Sequence, residues 1–105
     1  MSIEWKITKL ECLPEAFNEK DFIVNAYYKC TVSKQEYTAE ISSHVSFDIK
    51  KSETFINLKD LTEEIILGWI WNSFINKDYV ELNLEHQINM KINLNLYEPE
   101  IIWNG

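Results

Sequence analysis

The chain has 105 residues, 46% of them hydrophobic and 13% aromatic, which is enough apolar material for one core and too little length for two. Seventeen Asp and Glu stand against ten Lys and no Arg, giving a formal net charge of -7 and a pI near 4.7, so unassisted nucleic-acid binding is disfavoured. Two Gly and two Pro leave no room for a Gly-rich phosphate loop or a flexible linker.

Ile3, Trp5 and Ile7 alternate with Glu4, Lys6 and Thr8, the two-residue period of a half-buried strand, which predicts β-structure over about 3–11. Leu13 to Asp21 reads as a loop. From Phe22 the alternation returns: Phe22, Val24, Ala26, Tyr28, Cys30 and Val32 share one expected face, and Asn25, Lys29 and Thr31 share the other, for a strand over 22–33. Ser33-Lys34-Gln35-Glu36 is short and polar enough to close a hairpin, although it lacks an Asn-Gly or Asp-Gly pair. A third strand over 36–49 places Tyr37, Ala39, Ile41, Val45 and Phe47 on one side. The three segments predict an antiparallel sheet with one apolar face.

Asp60-Leu61-Thr62-Glu63-Glu64 has the form of a helix start, with Asp60 or Thr62 as cap and two carboxylates at the positive end of the dipole. Ile66, Trp69, Ile70, Ser73 and Phe74 form one apolar row of a helix over 62–76, and Leu67, Trp71 and Ile75 form a second. Trp69 and Trp71 lie about 200° apart around such a helix, so a single sheet is not expected to bury both. Between Asp78 and Ile92 two periods compete. Val80, Leu82, Leu84, Ile88, Met90 and Ile92 follow a strand's alternation, whereas Val80, Leu84, Ile88 and Ile92 keep helical i+4 steps among good helix formers, with Asp78 as a possible cap. Pattern alone leaves both open.

The early Trp5 followed by Leu10-Glu11-Cys12, the strand Phe22-Ile23-Val24-Asn25-Ala26, and above all Asp60-Leu61-Thr62-Glu63-Glu64-Ile65-Ile66-Leu67-Gly68-Trp69-Ile70-Trp71 resemble a family of small proteins encoded by tailed bacteriophages. The resemblance implies that the junction Asn76-Lys77-Asp78 leads into a second helix, over about 78–91. It also implies a phage origin, and it transfers no catalytic residue. The chain departs from the family in its tail, which keeps only Pro99 and Trp103 of a Pro-rich ending, and in a hairpin without Gly. The expected organisation is therefore α+β, with a three-stranded antiparallel sheet covered by two helices over residues 1–93 and an extended arm over 94–105.

No catalytic, cofactor-binding or metal-binding residue is expected. His44 and His86 with Cys12 and Cys30 lack any local ligand spacing for zinc, and two cysteines eighteen positions apart read as free thiols of a reducing compartment. Glu63 and Glu64 diverge by about 100° on a helix, which does not suit a paired acid and base. No apolar run is long enough for a membrane span, and the amino terminus has no signal-peptide pattern. The aromatic and apolar surplus at Trp71, Tyr79, Leu94, Leu96, Tyr97, Ile101, Ile102 and Trp103 is the candidate protein interface. The function expected is a non-enzymatic structural or accessory component of a tailed-phage particle, in the virion, whose partners are phage structural proteins or further copies of the chain, with no direct nucleic acid and no membrane. The alternative is an intracellular phage accessory protein that inhibits a basic host protein through acids such as Glu4, Glu11, Glu40, Glu81 and Glu85.

Overall fold

A computed structural model describes residues 1–48, 56, 58–94 and 97–103. Strands β1 (Ser2–Ala16), β2 (Glu19–Lys34) and β3 (Tyr37–Ser46) form an antiparallel sheet in the order β1-β2-β3, followed by helices α1 (Glu63–Ser73) and α2 (Lys77–Leu94). The fold is α+β, as the two periods in the sequence require.

The expected loop at Leu13–Asp21 is instead the end of a long hairpin. Pairing runs on through Leu13↔Phe22 and Glu15↔Lys20 to Ala16↔Glu19, and the chain reverses at Phe17 and Asn18, which both take positive φ. A two-residue turn with both centres left-handed matches the twist of the flanking strands, and Asn tolerates that conformation better than most residues. Polar composition suggested a loop; pairing satisfies the same backbone groups without needing an apolar face. The second hairpin closes where expected, at Gln35 and Glu36, with Gln35 at φ 56. The last residue of the expected third strand, Ile49, lies outside the described residues.

The β1–β2 ladder contains two irregularities. One falls between Ile7 and Lys9, where Thr8 is the extra residue of β1; the other falls opposite Glu11 and Cys12, where Val24 is the extra residue of β2. Each bulge shifts the inward-outward phase by one. The core face of β2 is consequently Ile23, Ala26, Tyr28, Cys30 and Val32, whereas Phe22 is buried outside this cluster with Phe17 edge-on at 6.1 Å. This corrects the unbroken Phe22–Val24–Ala26 face expected from alternation.

Thr62 caps α1, its side chain accepting from the Ile65 amide at 3.3 Å, and the helix ends where the amides of Phe74 and Ile75 both reach the Ile70 carbonyl. Helix α2 is capped by Asn76, whose side chain accepts from the Tyr79 amide at 3.0 Å; Asp78, the expected cap, lies inside the first turn. For this segment helix propensity prevails over strand alternation. Leu84 and Ile88 are buried, and Val80 and Ile92 extend the same i+4 row against the core. Both helices pack on one side of the sheet, where Ile66, Leu67 and Ile70 of α1 meet the strand residues. Trp69 and Trp71 flank that buried line on opposite sides. Trp69 meets Phe47, just beyond β3, edge-on at 6.0 Å, and Trp71 meets Trp5 of β1 edge-on at 5.6 Å with Lys77 of α2 5.1 Å from its centroid; both rings stay half-buried, in keeping with their angular separation.

Candidate interaction surface

The side chains singled out by the sequence fall into three places. Trp71 is half-buried and stands at the joint between β1, α1 and α2. Its ring packs on Trp5, and the Lys77 ammonium lies 5.1 Å from its centroid. The Trp71 indole N–H is buried without a hydrogen-bond partner, while the Trp5 indole N–H donates to Glu81 Oε2 at 2.7 Å, and Glu81 pairs with Lys77 at 2.8 Å. Burial of the Glu81 carboxyl works to raise its pKa, but the hydrogen bonds from Lys77 and Trp5 outweigh it, and the net displacement is downward. Glu81 is therefore committed to the joint and is not a free surface acid. The joint also borders an open cavity of about 560 Å³ lined by Trp71, Phe74 and Ile75 with Asn76, Lys77 and Asp78.

Tyr79 is exposed on the first turn of α2, while Leu94 is exposed at its far end. At 1.5 Å per residue the two lie roughly 22 Å apart, so they cannot belong to one contact centre. The third place is the arm. Tyr97 is 81% exposed, Ile101 69%, Ile102 74% and Trp103 87%, in a segment beyond α2 that is neither helix nor strand over residues 97–103. Leu96 lies outside the described residues. Large apolar side chains this exposed forgo the hydrophobic gain of burial, at about 25 cal/mol per Å², until another surface covers them.

A polar network that the sequence did not announce occupies the face of the sheet turned away from the helices. Between the two bulges, Glu11 Oε1 accepts from the Tyr27 hydroxyl at 2.8 Å and from Asn25 Nδ2 at 3.0 Å, and Asn25 Oδ1 accepts from Ser46 at 2.7 Å. These hydrogen bonds, Tyr27 first, draw the Glu11 pKa down, and the bond to Glu11 draws the Tyr27 pKa up. Tyr27 is stacked on His44 at 5.1 Å, and Lys9 lies 4.9 Å from its centroid. The available signal was Tyr27 itself, an aromatic at an outward position of β2; the bulges that bring Lys9 and Glu11 to the same side leave no mark in the alternation.

Cys12 is exposed and Cys30 fully buried, both free. Burial, assisted by the Glu81 charge, pushes the Cys30 thiol up to about 11. Among the described residues no three His, Cys, Asp or Glu gather as metal ligands, and no helix is long and apolar enough to cross a membrane.

A three-stranded antiparallel sheet backed by two helices defines a small α+β domain, and Tyr97, Ile101, Ile102 and Trp103 beyond its last helix are exposed. The chain belongs to the family described as Domain of unknown function (DUF7936), which matches residues 1–103 and so takes in the arm as well as the sheet and helices. No curated protein and no solved structure matches it.

Proposed function

We propose that this protein is a non-enzymatic structural or accessory component of a tailed-bacteriophage particle, which it joins through its arm. The exposed arm carries the proposal: Tyr97, Ile101, Ile102 and Trp103 are the aromatic and aliphatic side chains enriched at contact centres, and they have no cover in the isolated chain. The phage context rests on the resemblance of the stretch from Asp60 to Trp71 and of the Lys-Asp junction that follows. The sheet and helices serve as the body, and the arm supplies the apolar surface that a partner covers.

Mass spectrometry of purified virions tests this reading. The chain is expected at stoichiometric level in the particle, and removal of residues 94–105 is expected to reduce incorporation more than it lowers the melting temperature. Absence from particles, together with early synthesis and a salt-sensitive complex with a host protein, would replace this reading with that of an acidic inhibitor.

A further inference from the structure

The arm's exposed carboxylates have a counterpart on the same chain. On the open face of the sheet, two adjacent rows across β1, β2 and β3 read Lys9–Tyr27–His44 and Lys6–Lys29–Ser42. Lys6 and Lys29 stand directly opposite each other, an arrangement that like charges make unfavourable. Glu4 and Glu40 occupy the next row, yet among the described residues neither Lys6 nor Lys29 has an ion-pair partner. In a chain of net charge -7, an uncompensated lysine pair on an uncovered sheet face is an anion-receiving feature.

Resting on the reading of the arm as a contact element, we propose that this lysine row receives the arm of a second copy of the chain. The arm carries Glu98 and Glu100 and no cation. Around Pro99, whose ring favours extended backbone, side chains two residues apart point the same way about 7 Å apart. Lys6 and Lys29 have β-carbons about 5 Å apart, and their long stems splay to that spacing. Leu84 and Ile88 pack α2 on the other side of the sheet, so the arm leaves from the layer opposite its receptor. Donor and receptor are different surfaces, so the contact closes when two copies exchange arms and repeats from copy to copy when they do not.

Sedimentation velocity of the full chain over a concentration series tests this. Self-association is expected at about 50 mM salt and is expected to weaken at about 500 mM. K6E/K29E and E98K/E100K should each lower the association constant at least about tenfold. An equimolar mixture of the two variants should associate again, because each then offers the charge the other lacks; this recovery separates a lost contact from a lost fold. A wild-type chain that is monomeric at every concentration, or variants that associate undiminished, or a mixture that stays apart would overturn the inference. Virion content is measured separately: a monomer found in particles refutes only the arm-to-sheet contact, and a self-associating chain absent from particles refutes only the virion reading.

Discussion

Glu81 holds Trp5 at the joint, and its replacement has a calculable effect. Its carboxylate accepts from the Trp5 indole at 2.7 Å and pairs with Lys77 at 2.8 Å, with side-chain exposures of 16% for Glu81 and 38% for Lys77. Glu81→Ala leaves the indole N–H of a 9%-exposed Trp5 without its acceptor, a loss of about 1–3 kcal/mol. The ion pair adds less than about 1 kcal/mol, because Lys77 regains water when released and stands N-terminal to its partner, the weaker i,i+4 orientation. The total expected for Glu81→Ala is about 2–3 kcal/mol. Glu81→Gln keeps an acceptor for Trp5 and should cost about 1 kcal/mol. Urea denaturation followed by far-ultraviolet circular dichroism measures both, and Trp5→Phe closes a double-mutant cycle with an expected coupling of about 1–2 kcal/mol. The pH dependence has a definite sign. A carboxyl whose folded pKa is drawn below its ordinary 4.5 adds stability that is fully present above 4.5 and is lost as pH falls through the folded value. The gap between wild type and Glu81→Gln should therefore shrink in acid. Equal costs for Ala and Gln, or a gap that does not change from neutrality to well below 4.5, would refute this account of the joint.

Two further perturbations follow from the packing. Gly68 lies inside α1, and a β-carbon built there meets nothing within 4 Å, so Gly68→Ala should stabilise the domain by about 0.5–1 kcal/mol through helix propensity, measured by the same denaturation; destabilisation would show that the glycine serves a contact. In the folded protein a thiol-reactive chromophore should label one cysteine quickly, the exposed Cys12, and the second only at the rate of unfolding, since Cys30 is buried and its thiol is pushed up to about 11; rapid labelling of both would contradict the core assignment.

The sequence marked these elements unevenly, for physical reasons. The start of α1 at Asp60 or Thr62 and its apolar rows were legible because helical spacing and capping chemistry are local, whereas the Leu84–Ile88 stripe also fits a strand's alternation and only the family resemblance pointed to α2. The distal hairpin was not, because Leu13 to Asp21 forms strands through pairing alone, and its turn uses Phe17 and Asn18 in place of glycine. Of the contact residues, Tyr97, Ile101, Ile102 and Trp103 stood out as apolar side chains beyond the last amphipathic segment. Trp71 has the same composition signal, and only the three-dimensional fold shows that Trp5 covers one side of it. The open-face cluster of Lys9, Glu11, Asn25 and Tyr27 depends on register, which composition does not encode.

The paired bulges at Thr8 and Val24 act on the sheet as two opposite frameshifts act on a reading frame. Each displaces the pairing register by one, in opposite senses, so together they confine the shifted register to the three pairs Lys9↔Tyr27, Leu10↔Ala26 and Glu11↔Asn25. Each extra residue is unpaired, so a chain that lost Thr8, Val24 or both would close its ladder over the gap and keep every remaining pair on its present side. Length variation at these two positions is thus absorbed where it occurs, whereas a deletion at a paired residue between them would displace the register of the hairpin.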